Sequence, residues 1–270
     1  MNNDYLKYIE ENLQIAFDNI KDKYPTKLYD AMEYSVFSGG KRIRPYLMLL
    51  VADFLNISHD KVINQAVALE LIHSYSLIHD DLPGMDNDDY RRGKPTCHKK
   101  FGEAMAILAG DALLNLAYET LFKASLHNTS ITKSCYFLAQ NAGGIGMIGG
   151  QALEFSNLTI DLPLYEKICS LKTGKLITSA TLCPAYISAT KEEFDALQTF
   201  GTNLGLIFQL VDDLLDIDTD KTSFVKFTDT SIVRKKLSNL SDEAIQSIAS
   251  FGKRNENLIN FCNFLTKRTK

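Results

Sequence analysis

The stretch DYLKYIEENLQIAFDNIKDK, residues 4–23, shows the pattern that recurs along most of the chain. Its apolar side chains follow one another at steps of three and four, as at Leu6, Ile9, Leu13 and Phe17. This spacing places them on one face of an α-helix. Alternation with a period of two, which strands require, is scarce in the rest of the sequence. The sequence therefore predicts an all-α fold.

The same periodicity locates the other helices. We predict helices over residues 4–23, 27–37, 44–55, 59–81, 101–125, 131–155, 163–189, 191–217 and 241–267. The run Gly144 to Gly149 fits a dinucleotide-binding glycine pattern, but no predicted strand precedes it, so we interpret it as a kinked helix with close packing. No linker composition interrupts the chain, which predicts a single domain over residues 1–270.

Composition excludes several functional classes. The formal net charge of −4 argues against a general nucleic-acid binder, because sequence-independent phosphate contact needs a net basic face. Five cysteines form no C-x-x-C pair and an odd number is awkward for paired disulfides, which favours a cytoplasmic protein with reduced thiols. The longest uncharged run, residues 134–153, contains Gln140, Asn141 and five glycines. We therefore expect no stable membrane insertion.

Two acidic clusters are candidates for metal binding. The first acidic cluster is Asp80, Asp81 and Asp86, where Pro83 is expected to end a helix and to let the chain turn back toward the pair. Alone, this cluster would be indistinguishable from a solvated helix end.

The second acidic cluster lies in an apolar setting and consists of Asp212, Asp213 and Asp216. Asp212 and Asp216 are four residues apart and share a helix face. Like charges about 5 Å apart repel by about 3 kcal/mol at an effective dielectric of about 20, so six carboxylates in one cavity call for cations. Carboxylate-only ligands select Mg²⁺, which completes its coordination with water and substrate phosphate.

Basic residues suited to a diphosphate stand close by in the sequence. GGKRIRP occupies residues 39–45, and RRG at residues 91–93 directly follows the first acidic cluster. Arginine offers a planar fork to phosphate, and lysine offers a point charge.

Five motifs in this order resemble the polyprenyl synthetase family, and bacterial farnesyl diphosphate synthases are the most similar branch. They are GGKRIRP at 39–45, DDLPGMD with RRG at 80–93, GGQAL at 149–153, KTG at 172–174 and FQLVDDLLD at 208–216. The resemblance covers the chain to about residue 237. It implies an isoprenoid-synthase-type helical bundle around a central cavity, a homodimer, and a short-chain prenyl diphosphate synthase.

The resemblance also implies the roles of single residues. The metal ligands would be Asp80, Asp81, Asp86, Asp212, Asp213 and Asp216, holding three Mg²⁺ ions against the allylic diphosphate. Arg91 and Lys172 would help to bind that diphosphate, and Lys41, Arg44, His73 and Arg92 would bind isopentenyl diphosphate. Thr173 and Gln209 would face the reacting carbons. The expected reaction is metal-assisted ionisation followed by alkylation of isopentenyl diphosphate, with released pyrophosphate as the proton acceptor.

Product length is expected to depend on Tyr75, five residues before Asp80 and about 7.5 Å back along the helix. Ser76 is small, so the aromatic ring of Tyr75 is the expected floor beneath the aspartates. By resemblance, an aromatic residue there implies a fifteen-carbon product. A geranylgeranyl diphosphate synthase is the alternative.

The chain departs from the family after Asp216, where a loop with a Gly-Lys pair is expected and is missing. Lys221 resembles the later substrate-binding lysine of the family. The shortened segment predicts a less well sealed site and weaker allylic binding. It also keeps open a weakly active or inactive partner subunit of a heteromeric synthase, although the intact aspartates favour the enzyme. A class I terpene cyclase is disfavoured by the second acidic cluster and by GGKRIRP.

Overall fold

A computed structural model describes residues 1–126, 128–156, 159–217 and 222–268. The chain divides into two compact units. The first unit comprises Met1–Tyr46 and Ile63–His127, and the second comprises Leu47–Val62 and Asn128–Lys270. A single domain over residues 1–270 remains our proposal.

Helices make up nearly all of the regular structure in the described ranges. They are α1 (Asn3–Asp18), α2 (Thr26–Phe37), α3 (Ile43–Phe54), α4 (Ile63–Asp80), α5 (Cys97–Phe101), α6 (Glu103–Ser125), α7 (Thr129–Ala142), α8 (Met147–Ser156), α9 (Leu162–Cys169), α10 (Lys175–Ser188), α11 (Lys191–Leu215), α12 (Phe224–Phe227), α13 (Thr230–Ser247) and α14 (Glu256–Lys267). Short 3₁₀ helices lie at His59–Lys61 and Ala249–Asn255, and a π-helical turn joins α9 to α10 at Ser170–Gly174. The antiparallel strands β1 (Tyr90–Arg91) and β2 (Lys94–Pro95) form a small hairpin.

The observed helices depart from the predicted ones in several places. The helix predicted over 131–155 is broken between α7 and α8, where Gly146 N–H donates to the carbonyl of Gly143 at 2.9 Å. The extent of the helix predicted over 163–189 is confirmed, since α9, the π turn and α10 follow one another without a break, but the π turn within it was not predicted. The last predicted helix began at residue 241, whereas α13 begins at Thr230 and Gly252, with φ of 61°, separates it from α14.

In the first unit, α4 and α6 pack together, and α4 is buried along most of its length. Helix α6 is long and apolar enough to cross a membrane by length and composition alone, a property that core helices of soluble proteins share. Its exposed apolar side chains include Ile107, Leu108 and Phe122.

In the second unit, α10 packs between α7 and α11. Helix α11 starts with a capping box, in which the Thr190 side chain accepts from the backbone of Glu193 and the Glu193 side chain accepts from the backbone of Thr190. This arrangement satisfies N–H groups that a helix start leaves unpaired. The cap fixes the start of the helix whose other end bears the second acidic cluster.

Candidate active site

The first acidic cluster forms where α4 ends. The helix stops at Asp80, before Leu82 and Pro83, as the proline predicts. The chain then turns back, and the backbone N–H of Asp86 donates to the carbonyl of Asp80 at 2.8 Å. Asp80 is partly buried and Asp86 is exposed. The predicted return of Asp86 toward the pair is therefore seen in the backbone.

Protein groups hold the carboxylate of Asp81, the second aspartate of this cluster. Arg91 Nε lies 2.8 and 2.9 Å from its two oxygens, and Arg91 Nη2 lies 2.6 Å from Oδ1. Burial raises the pKa of Asp81, and the Arg91 guanidinium opposes that shift. The β1–β2 hairpin presents this arginine. Asp81 thus fixes the guanidinium of Arg91 in place.

The GGKRIRP loop is anchored by Arg42, a residue we had not singled out. Its guanidinium donates to Glu10 at 2.7 Å, to Glu70 at 2.8 Å and to the carbonyl of Val36 at 2.8 Å. Arg42 is 4% exposed and Glu70 is 2% exposed. Arg42 also has a φ of 49°, which is uncommon outside glycine. The buried ion pair with Glu70, together with the contacts to Glu10 and Val36, holds the loop in this conformation.

Arg92 lies against the same loop. It donates to the carbonyl of Gly39, and a Cβ atom on Gly40 would lie 2.7 Å from Arg92 Nη1. Gly40 has a φ of 135°, so a side chain there would be both strained and in collision. Two glycines therefore let the loop and Arg92 approach each other.

His73 lies in α4, seven residues before Asp80. Burial lowers its pKa well below the usual value of 6.5, and the positive charges of Arg44, Arg92 and Arg91 lower it further. The imidazole is therefore neutral near pH 7. It can donate one hydrogen bond to an anion without bringing a charge of its own.

Tyr75 lies one turn before His79 on α4, and their rings meet edge to face at 5.8 Å between centroids. Tyr75 is 5% exposed, and its hydroxyl has no hydrogen-bond partner in the described part of the chain. Ser76 Oγ donates to the carbonyl of His73 at 2.9 Å. Tyr75 therefore presents a buried ring and an unsatisfied hydroxyl, while Ser76 turns onto its own helix.

In the second unit, Lys172 and Thr173 lie within the π turn. Lys172 Nζ is 2.7 Å from a carboxylate oxygen of Glu154, and Thr173 Oγ1 donates to Gln209 Oε1 at 3.2 Å. Next to this contact, the helices approach so closely that a Cβ atom on Gly205 would lie 2.6 Å from the Cα of Gly174. The structure thus brings together the two residues predicted to face the reacting carbons.

Asp213 of the second acidic cluster is enclosed by protein donors. It accepts from the Phe224 N–H at 2.6 Å, from Gln209 Nε2 at 2.7 Å and from the Tyr165 hydroxyl at 3.0 Å. Asp213 is 4% exposed, and burial raises its pKa although these hydrogen bonds oppose the shift. Asp213 thus fixes the amide of Gln209.

The other two aspartates of the cluster have different surroundings. The Asp212 side chain is 39% exposed, and Arg268, directly after α14, forms an ion pair with it. Asp216 is exposed and lies at the C-cap of α11. Lys221, the remaining predicted substrate contact, lies outside the described residues, as does most of the shortened segment after Asp216.

The donor set fits Mg²⁺ that arrives with a diphosphate. Within the described ranges, no three Asp, Glu, His or Cys side chains converge into a ready-made cage. Mg²⁺ usually takes only one or two carboxylates and keeps water or substrate phosphate as its other ligands. Asp80 with Asp86, and Asp212 with Asp216, supply such hard oxygen donors at two helix ends.

The sequence alone did not identify four residues that organise the site. Arg42 appeared only as part of a basic run, and Tyr165, Glu154 and Arg268 stand outside the recognised motifs. Their partners are distant in sequence, as with Tyr165 and Asp213, which are 48 residues apart. No local signal marks such pairs, although the positive φ of Arg42 lies two residues after Gly40.

The chain is similar to one known protein family and to several individual proteins and solved structures. The family described as polyprenyl synthetase matches residues 25–263. Farnesyl diphosphate synthase of Micrococcus luteus is 37% identical over 289 residues, covering 100% of this chain and 98% of the relative. Geranylgeranyl diphosphate synthase of Cyanophora paradoxa is 35% identical, covering 97% and 96%. The crystal structure of a geranyltransferase from Legionella pneumophila matches with a TM-score of 0.91 and 36% identity, covering 98% of this chain and 95% of that one.

Proposed function

The chain belongs to the polyprenyl synthetase family, and we propose that it condenses isopentenyl diphosphate with dimethylallyl or geranyl diphosphate to give farnesyl diphosphate. It is a short-chain prenyl diphosphate synthase with the isoprenoid-synthase helical fold, as the sequence predicted. The observation that carries the proposal is that each acidic cluster has one aspartate locked to a proposed substrate-facing residue, Asp81 to Arg91 and Asp213 to Gln209.

This observation suggests that the aspartates within each cluster have two different roles. We infer that Asp80, Asp86, Asp212 and Asp216 would hold the metal, while Asp81 and Asp213 act mainly by positioning their partners. Mg²⁺, when bound with the allylic diphosphate, supplies the positive charge that stabilises the leaving group. The family resemblance suggests three ions. Fixed donors cost no reorganisation as charge develops, so preorganised Arg91 and Gln209 favour the transition state.

The basic residues of the first unit suit the diphosphate of isopentenyl diphosphate. Lys41 belongs to the loop that Arg42 anchors, Arg44 follows it in the first turn of α3, and Arg92 packs on the loop. Neutral His73 would add a hydrogen bond, and Lys172 would give charge to the allylic diphosphate. Thr173 and Gln209 form a polar pair that we assign to the reacting carbons.

Tyr75 supports the fifteen-carbon product, because its buried ring lies one turn below His79 on the helix that ends at the first acidic cluster. A relative named geranylgeranyl diphosphate synthase keeps the twenty-carbon product as the second candidate. The product distribution distinguishes the two.

We also propose a homodimer in a reducing, cytoplasmic setting. The apolar side chains that α6 exposes, Ile107, Leu108 and Phe122, suit a protein interface. All five cysteines are buried free thiols. Light scattering coupled to size exclusion would measure the mass; a monomer at micromolar concentration would contradict the dimer.

The experiment that tests the function uses purified protein, isopentenyl diphosphate, Mg²⁺ and each allylic diphosphate of five, ten or fifteen carbons. We expect coupled products that end at fifteen carbons, sized by chromatography, and no product in excess EDTA. Absence of coupling with every allylic substrate would refute the enzyme. Activity restored only by a second synthase would instead indicate the partner subunit of a heteromeric enzyme.

A further inference from the structure

Arg268, the residue that follows α14, folds back onto the second acidic cluster. Its guanidinium forms an ion pair with Asp212, donates to the carbonyl of Phe208 at 3.3 Å, and lies 4.2 Å from the centre of the Phe208 ring. The Arg268 side chain is only 7% exposed. A residue at the end of the described chain is therefore seated at a proposed metal ligand.

Charge explains why a cation sits there. Asp212, Asp213 and Asp216 lie in the last turn and C-cap of α11, an end that already has partial negative charge from the helix dipole. Asp213 is satisfied by neutral donors from Phe224, Gln209 and Tyr165, which bring no positive charge. Arg268 supplies that charge to Asp212.

The hydrogen bonds of the Arg268 side chain are incomplete. Its Nε is buried and has no hydrogen-bond partner among the described residues. A buried donor without an acceptor is unfavourable, so charge and the aromatic contact must hold the side chain against that deficit. The same side chain can leave without unfolding a helix, because α14 ends at Lys267.

We propose that Arg268 is the counter-cation of Asp212 in the metal-free enzyme and that metal binding displaces it. The inference rests on the proposed function, in which Asp212 holds Mg²⁺. The metal and the guanidinium are both cations and compete for the Asp212 carboxylate. Arg268 therefore weakens the binding of metal to the free enzyme. Metal can bind to Asp212 only when the Arg268 side chain moves away.

The chain contains a matched control in the same unit. Arg254 pairs with Glu193 at 2.7 Å, donates to the carbonyl of Phe54 at 3.2 Å, and lies 5.1 Å from the centre of the Phe54 ring. Arg254 therefore makes the same three kinds of contact as Arg268. It makes them beside the capping box of α11 and not beside an acidic cluster. Its replacement should destabilise the protein without changing metal affinity.

The experiment measures Mn²⁺ binding by electron paramagnetic resonance, with thermal melting to confirm folding. Arg268→Gln should tighten Mn²⁺ binding to the free enzyme by about tenfold, as expected if about 1.4 kcal/mol of competing ion-pair energy is removed. Arg268→Lys keeps the positive charge but loses the planar contact with Phe208, so its Mn²⁺ affinity should lie between those of the unsubstituted protein and Arg268→Gln. Arg254→Gln should leave the affinity unchanged.

Two further arms separate this inference from the metal assignment. If Asp212→Asn leaves Mn²⁺ binding unaltered, the proposed metal site is wrong. If Asp212→Asn weakens binding but Arg268→Gln does not tighten it, the displacement alone is refuted. A repeat of the titration with inorganic pyrophosphate tests whether Arg268 instead binds phosphate. If Arg268→Gln weakens Mn²⁺ binding in the presence of pyrophosphate and does not change it in its absence, Arg268 binds phosphate and the proposal is overturned.

Discussion

Replacing Asp213 by Asn tests whether this aspartate is a metal ligand or a structural anchor. The substitution keeps the shape but turns one carboxylate oxygen into an amide donor. That amide would face Gln209 Nε2 and the Tyr165 hydroxyl, both of which now donate to Asp213. The Phe224 N–H now lies 2.6 Å from Asp213 Oδ2. After the substitution it would face either the amide nitrogen, which cannot accept a hydrogen bond, or the neutral amide oxygen.

The magnitude follows from these contacts. Hydrogen bonds to charged groups contribute about 1.5–3 kcal/mol each, and one or two of the three would be lost. We expect Asp213→Asn to lower the free energy of unfolding by about 3 kcal/mol. For a chain of this length that corresponds to a melting temperature lower by about 6–12 °C. Mn²⁺ affinity should change by less than about threefold, since we assign the metal to other carboxylates.

The assay pairs a thermal melt with a Mn²⁺ titration, and Asp212→Asn is the matched control. That control should lose metal affinity, and its melting temperature should fall less than that of Asp213→Asn, because Asp212 is partly exposed and Arg268, which follows the last helix, can move into solvent when its partner is neutral. If Asp213→Asn instead melts normally and loses the metal, Asp213 is a ligand and our division of the cluster is wrong.

Four further predictions concern the rest of the site. Asp80→Ala should lower turnover at least about 100-fold in a steady-state assay, because it removes part of a preorganised charge clamp. Tyr75→Ala should lengthen the product to twenty carbons or more, measured by chromatography, because it removes the proposed floor. His73→Asn should flatten the fall in stability below pH 6.5, measured by urea unfolding: the lowered pKa means that the unfolded chain takes up a proton there which the folded protein refuses. Gly205→Ala should destabilise the protein by about 1–3 kcal/mol in a thermal melt, because its Cβ would meet the Gly174 backbone.

Each of these has an outcome that would contradict it. Near-normal turnover of Asp80→Ala, or an unchanged product from a folded Tyr75→Ala variant, would reject the corresponding role. If the free energy of unfolding of the His73 variant falls with decreasing pH as it does in the parent, other groups determine this pH dependence. For the glycine, Gly144→Ala is the control, since a Cβ there meets nothing within 4 Å; equal losses would argue against a backbone collision.

The sequence was informative wherever local periodicity determined structure. Amphipathic spacing located most helices, and Pro83 marked the end of α4 to within a few residues. The start of α13 was missed because this helix is largely polar, with only Val233 and Ala244 buried. The π turn was missed because an i→i+5 pattern leaves no periodic signal over five residues.

Motifs likewise predicted which residues form the site but not how they are held. The family resemblance named Asp81, Arg91, Thr173 and Gln209 without indicating which side chains pair. The ion pair of Arg268 with Asp212 joins residues 56 positions apart. Such long-range contacts depend on how helices pack, which a single sequence does not encode at the level of individual atoms.

The π turn at Ser170–Gly174 also makes the length of this segment consequential. A π turn holds about one residue more than an α turn, so it acts as a phase adjustment within a long helix. Deleting a single residue there would convert the π turn into an α turn and would leave α9 and α10 in nearly the same rotational phase. Tyr165 would keep facing Asp213, so the deletion should disturb mainly Lys172 and Thr173, whose contacts with Glu154 and Gln209 start inside the turn.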